Sequence, residues 1–253
     1  MMTMMRKISM LESQLYEQLR TLKLQGMLEA LEAQENDPAY ENMPFEDRLV
    51  HCVDKQIIYQ ENKRLTSRLR RAKLHLPASM EEIDYRKTRE LKKTEITALA
   101  KGHWIKDAKN ITITGFTGTG KSYLACALVH KASLLGYQGY YTRIGRLFEQ
   151  LQLARVNGTY VKQLIAFSKI RVLILDDFGT HSFNSQSRKD LLELLDDRYG
   201  KLSTIVTSQF AVKEWHKLIG DKTMADAILD RLVHNAHRIV LKGDSLRKIY
   251  AEK

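Results

Sequence analysis

Cysteine is scarce in this chain. Cys52 and Cys126 are the only two among 253 residues, too few for a disulfide framework and in keeping with a reducing compartment. Proline occurs only at Pro38, Pro44 and Pro77, so nothing beyond residue 77 is interrupted by it. No stretch approaches the roughly 18 consecutive apolar residues that a membrane helix needs, which argues against a membrane protein. Arg6 and Lys7 are not followed by the apolar core of a secretion signal, because Glu12, Gln14 and Glu17 interrupt it. A cytoplasmic location is expected. There is also no G-x-S-x-G or comparable nucleophile motif.

Acid is missing from one short segment. Between residues 63 and 73 stand Lys63, Arg64, Arg68, Arg70, Arg71 and Lys73, with no Asp or Glu among them. The segment before it is the reverse: Glu29, Glu32, Glu35, Asp37, Glu41, Glu46, Asp47 and Asp54 face only Arg48. The whole chain carries a formal charge of +11. The basic cluster suits contact with DNA phosphates, whose counterions it would release. The alternative is a solvated helix face packed on the acidic segment.

The prolines divide the first third into blocks. Ser9-Met10-Leu11-Glu12 reads as a capping box. Leu11, Leu15, Leu19 and Leu22 then mark one face of a helix that should end before Pro38. A second helix is expected after Pro44, with Phe45, Leu49, Val53 and Ile57 on one face, running into the basic cluster and stopping at Pro77. Ser79-Met80-Glu81-Glu82 resembles a further capping box. Residues 1–78 therefore read as a small helical module and 79–253 as a second domain. After residue 110 short apolar strands alternate with helical stretches. The strands are Ile111–Thr114, Gly139–Thr142, Val172–Leu175, Thr204–Thr207 and Arg238–Leu241, and the helices include Ser122–Leu135 and Gln186–Tyr199. Such alternation predicts an α/β fold, a parallel sheet covered by helices on both faces.

Within that pattern, Gly115-Phe116-Thr117-Gly118-Thr119-Gly120-Lys121-Ser122 matches G-x-x-x-x-G-K-[ST] in full, between a strand and a helix. Glycines let successive N–H groups and the helix N-terminus face the phosphates of ATP. Lys121 is expected on the β- and γ-phosphates and the Ser122 hydroxyl on Mg2+. A second element must help hold that metal. Val172-Leu173-Ile174-Leu175 is a buried-strand signature ending in Asp176-Asp177. Asp176 fits the Walker B aspartate that holds magnesium, and Asp177 is placed to polarise the attacking water. Asp177 could instead cap the turn at Phe178-Gly179.

Together these residues resemble the AAA+ ATPases and, within them, the IstB family of insertion-sequence transposition helpers, with DnaC-type helicase loaders as architectural relatives. The blocks GFTGTGKSYLA (115–125), VLILDDFG (172–179), STIVTSQ (203–209) and DAILDRLVHNAHRIVLKGDSLR (226–247) carry the resemblance. LRTLKLQGMLEAL (19–31) and ENKRLTSRLRRAKLHLP (61–77) extend it over nearly the full chain. By this resemblance Ser208, with Thr207 as its neighbour, falls at the sensor I position, and Arg231 at that of an arginine finger acting on the neighbouring subunit of a homo-oligomer. Arg247 resembles a sensor II arginine. Most such ATPases carry Glu where Asp177 stands, one methylene longer. Many also have a helical lid after the finger; only 22 residues follow Arg231, so no C-terminal lid domain is expected. The resemblance implies an ATP-hydrolysing protein that assembles on duplex DNA and works with a transposase.

Other features are less specific. Arg143, Arg146, Arg155 and Lys162 form a mostly basic stretch that suits a DNA-facing surface. Trp104 and Ile105 stand where chain entering a phosphate-loop domain can flank adenine, or pack in the core. Tyr140 and Tyr141 read as packing residues. His234 and His237 stand three apart without a third ligand, which argues against a metal site. Rival readings are a helicase loader, a small phosphate-loop phosphotransferase indifferent to DNA, and a nonhydrolysing nucleotide switch.

Overall fold

The computed structural model describes residues 10–85 and 90–246. The chain divides into two compact units, Met1–Ser67 and Arg68–Lys253. In the first, helices α1 (Met10–Thr21) and α2 (Gln25–Asn36) are followed by a 3-10 turn (Pro38–Tyr40) and by the start of α3 (Phe45–Ala72). The one helix expected before Pro38 is thus two. Lys23 adopts a left-handed backbone with φ 58°, and the Lys23 and Leu24 N–H groups bond back to the Arg20 and Leu19 carbonyls, closing α1. No glycine marks this stop.

Gly26 lets α2 approach α3: a Cβ there would lie 2.7 Å from the Gln56 Cα. The Gln56 Oε1 accepts from the Gly26 N–H at 2.8 Å. The buried side chains of α3 in this unit are Cys52 and Gln56. The expected apolar face, Phe45, Leu49, Val53 and Ile57, is exposed.

The second unit begins inside α3, earlier than the boundary at residue 78 read from the sequence. The reason is packing: Ala72 and Ala78 are buried in the same cluster as Ile111 and Ile113 of the sheet. The capping-box residues Ser79 to Glu82 open no helix. Their polar groups are engaged elsewhere, the Tyr123 hydroxyl donating to Glu82 at 2.7 Å. Helices α4 (Lys93–Ala100) and α5 (His103–Lys106) then lead into the sheet.

Five strands form that sheet: β1 (Asn110–Gly115), β2 (Gly139–Arg143), β3 (Val172–Asp176), β4 (Ser203–Ser208) and β5 (Ala236–Leu241). All pairings are parallel, in the order β2-β3-β4-β1-β5. The connections are α6 (Lys121–Leu134), α7 (Ile144–Val156) with α8 (Tyr160–Ser168), α9 (Ser185–Arg198), and α10 (Val212–Ile219) with α11 (Lys222–Val233).

Alternation along the strands builds a core on each face. Val172, Ile174 and Ile205 pack with Leu124, Leu128 and Ile96. Leu173, Leu175 and Val206 pack with Leu147, Leu164, Leu191 and Ile228. Because every strand runs the same way, their carboxyl ends gather at one edge, where ligands of open α/β sheets bind. No helix among the described residues is long and apolar enough to cross a membrane.

Asn110 ties the opposite edge together. Its amide donates to the Arg231 and Leu232 carbonyls at 2.8 and 3.3 Å and accepts from the Thr204 N–H at 2.8 Å. Replacing this buried side chain leaves backbone groups unpaired, at about 1–3 kcal/mol each. Asn110→Ala is expected to lower unfolding stability by about 2 kcal/mol or more, read by urea denaturation.

Candidate functional site

The loop after β1 curls as its glycines allow. Gly118 and Gly120 have φ of 85° and 87°, a region costly for residues with a Cβ. At Gly115 the constraint is space, since a Cβ would sit 2.3 Å from the Leu241 carbonyl oxygen on β5. Helix α6 begins at Lys121 with Gly120 as its N-cap, so unbonded N–H groups and the positive end of the helix dipole face the loop's interior. Lys121 is largely buried and its ammonium donates to the Phe116 carbonyl at 2.9 Å. Thr119 closes the same turn through its hydroxyl, 2.8 Å from that carbonyl.

Beside Gly120 lies a cleft of about 320 Å³ lined by Glu82, Ile83, Asp84, Tyr123, Leu124 and Leu246. Trp104 and Ile105, the residues considered for this purpose in the sequence, are instead core. The Trp104 indole donates to the Leu99 carbonyl, and its own carbonyl accepts from Ser203 at the start of β4, the far end of the sheet.

Ser122 and Asp176 meet, although β4 separates their strands. The Ser122 hydroxyl lies 2.9 and 3.0 Å from the two carboxylate oxygens of Asp176. Thr207, on the intervening β4, donates to Asp176 Oδ1, and Tyr141, on β2, donates to Oδ2 at 2.6 Å. Burial and the Asp176 charge push the Tyr141 phenol well above its ordinary pKa, keeping its proton in place to donate. A hydroxyl and a carboxylate in contact at a helix N-terminus are hard oxygen ligands, and they fit Mg2+, which takes one or two protein oxygens alongside phosphate and water.

Asp177 occupies a strained position just past β3, with φ 61°. Its N–H is held by the Thr207 hydroxyl at 3.2 Å. Its carboxylate is half-exposed and lies 3.5 Å from the Arg143 guanidinium. Burial first, and the charge of Asp176 second, raise the Asp177 pKa, while Arg143 opposes the shift. A carboxylate made more basic in this way is a better proton acceptor.

Several expected residues stand elsewhere. The Ser208 hydroxyl is buried, donating to the Phe178 carbonyl at 2.7 Å and accepting from the Phe210 N–H at 3.1 Å. It closes the turn after β4 and does not face the loop. The next residue, Gln209, is the one that reaches across, its Oε1 accepting from the Thr117 hydroxyl at 3.1 Å. Arg155, read as a DNA-facing cation, bonds to the buried Asp190 and lies over the Tyr160 ring, 3.6 Å from its centroid. Arg143 faces Asp177, and the Arg68 Nε donates to the Ser133 carbonyl at 3.0 Å. Lys63, Arg64, Arg70, Arg71, Lys73 and Arg146 are exposed.

Arg231 is bonded to Asp196 and lies 3.8 Å from Asp230, at the sheet edge opposite the phosphate loop. Arg247 lies outside the described residues. His237 is on β5 while His234 pairs with Asp230. Among the described residues, no group of three or more His, Cys, Asp or Glu is placed to hold a metal. Gln209, just past β4, and Tyr141, in the middle of β2, carried no usable sequence signal beyond their places on the strands.

This sheet order, loop and paired aspartates define an AAA+ phosphate-loop domain that binds ATP. The chain belongs to the IstB-like ATP binding proteins, whose family model matches residues 17–253. It is 44% identical over 232 residues to the insertion sequence ATP-binding protein y4pL of Sinorhizobium fredii, covering 92% of this chain and 95% of that one. It is 32% identical over 231 residues to the ATP-binding protein Rv3427c in an insertion sequence of Mycobacterium tuberculosis, covering 90% and 92%. Among solved structures, the fold is similar to DnaI, with TM-score 0.56 and 22% identity over 66% of this chain and 92% of that one. It is also similar to AMPPCP-bound DnaA from Aquifex aeolicus, with TM-score 0.58 and 17% identity over 71% and 55%.

Removing the Lys121 ammonium deletes the one side-chain cation in the loop. Lys121→Ala is expected to weaken ATP binding by at least about tenfold, since charge-assisted bonds contribute roughly 1.5–3 kcal/mol, as read by calorimetric titration.

Proposed function

We propose that this chain is an ATP-hydrolysing helper of insertion-sequence transposition that assembles on duplex DNA and works with a transposase in the cytoplasm. The contact of Ser122 with Asp176, with Asp177 the next residue along the chain, is the observation that carries the ATPase reading. Family membership and the insertion-sequence relatives support the biological setting. They favour it over a helicase loader, for which the likeness to DnaI is one of fold.

In this reading the loop N–H groups and Lys121 neutralise the phosphate oxygens, and the adenine lies in the cleft of Ile83, Tyr123, Leu124 and Leu246. Ser122 and Asp176 would hold Mg2+, which would supply charge neutralisation to the phosphates. Asp177 takes a proton from the attacking water as the bond from the γ-phosphorus to the β–γ bridging oxygen breaks, leaving ADP and phosphate. Gln209, rather than Ser208, is the polar residue at the end of β4 that faces the γ-phosphate. The 1–78 and 79–253 division remains our functional one, with the helical module serving partner and assembly contacts.

Arg231 acts in trans. Its backbone is fastened to Asn110 at the start of β1, and β1 advances roughly 3.3 Å per residue, so its own loop is out of its reach. A neighbouring subunit's γ-phosphate is the target this leaves. Exposed Arg70, Arg71, Lys73 and Arg146 on the second unit, and Lys63 and Arg64 on the first, are the proposed contacts with DNA phosphates.

Two variants test the scheme. Asp177→Ala is expected to bind ATP while turnover falls about 100-fold or more, the range lost with a general base; retained phosphate release would remove Asp177 from the mechanism. Arg231→Ala is expected to bind ATP as a monomer yet lose the stimulation of hydrolysis by duplex DNA. Unchanged stimulation would refute the trans contact.

A further inference from the structure

Strand β2 sends two neighbouring side chains of one face toward the acid pair. Arg143 meets Asp177; Tyr141, two residues earlier, meets Asp176. The second contact has the closer geometry. Asp176 is almost fully buried, and each carboxylate oxygen has its own fixed donor: Thr207 on Oδ1 and Tyr141 on Oδ2. A carboxylate anchored at one oxygen can still turn about its Cβ–Cγ bond, because that torsion is broad. Anchored at both, it cannot.

The tyrosine is itself held. Its ring stacks on His75, with centroids 5.6 Å apart and planes 14° from parallel. Its backbone is paired with Ile174 on β3. A phenylalanine would satisfy packing at this position equally well, so the hydroxyl is the part that packing leaves unexplained.

We propose that Tyr141 is a positioning residue for the divalent metal, its hydroxyl fixing the Asp176 carboxylate in the orientation that lets Asp176 and Ser122 serve one Mg2+. The inference rests on the magnesium–ATP reading above. Ser122 can donate to the carboxylate while offering a lone pair to the ion, and Tyr141 keeps that carboxylate from rotating away. Outer-shell donors of this kind typically contribute 10–100-fold in metal affinity.

The test is equilibrium binding of a nonhydrolysable ATP analogue while Mg2+ is titrated, for the full chain and for Tyr141→Phe. Wild-type affinity must rise with Mg2+; if it does not, the magnesium–ATP reading itself fails and this inference falls with it. With wild type behaving so, Tyr141→Phe is expected to need about tenfold more Mg2+ for the same gain. Its binding in chelator is retained, because Tyr141 is not part of the phosphate loop. A wild-type Mg2+ midpoint in a folded Tyr141→Phe overturns the proposal. Should that variant lose its fold, 3-fluorotyrosine placed at position 141 alone carries the test. Its fluorine resonance is expected to shift when Mg2+ joins the bound analogue, and an unmoved resonance overturns the proposal.

Discussion

Asp176 is where four strands of the sheet converge chemically. It ends β3, receives a hydroxyl from β4 and another from β2, and is touched by Ser122 from the first turn of α6, which follows β1. None of these contacts is local in sequence; the nearest partner in the chain, Thr207, is 31 residues away. They exist because a parallel sheet places the carboxyl ends of all its strands at one edge. Burying a carboxylate among apolar strands is costly unless donors surround it. Here three hydroxyls do so, so the arrangement proposed to hold a metal is also what lets the acid sit there.

The two aspartates differ in environment. Asp176 is enclosed and held on both oxygens. Asp177, one residue on, is half-exposed and strained in backbone, and its pKa is raised by burial first and by its neighbour's charge second. A left-handed backbone at a non-glycine residue is a local strain that the surrounding structure must sustain; Thr207 does so by bonding the Asp177 N–H. The same threonine thus serves both acids, one through its hydroxyl proton and one through its lone pair.

Much of the sheet was legible in the sequence. Val172 to Leu175 is a continuous apolar run because both of its faces are covered, and the loop announces itself because its glycines and Lys121 have fixed spacing. What was not legible depends on partners far along the chain. Nothing in the sequence says that Arg155 is matched by Asp190, or that Tyr141 uses its hydroxyl. Ser208 and Gln209 differ by one residue, and at the end of a strand one residue decides which side of the turn a group faces. The stop after α1 rests on a lysine in a conformation usually reserved for glycine. The apolar spacing of Phe45, Leu49, Val53 and Ile57 is helical as read, but periodicity alone could not tell that this face lies outside.

The central claim is that one ATP binds per chain through the phosphate loop and a divalent ion held by Ser122 and Asp176. Isothermal titration of the unaltered chain with ATP, first with Mg2+ and then with chelator, tests it most directly. The account predicts a saturable site of one nucleotide per chain whose affinity drops when the metal is withdrawn. No saturable heat in either condition, or an affinity indifferent to Mg2+, would contradict it.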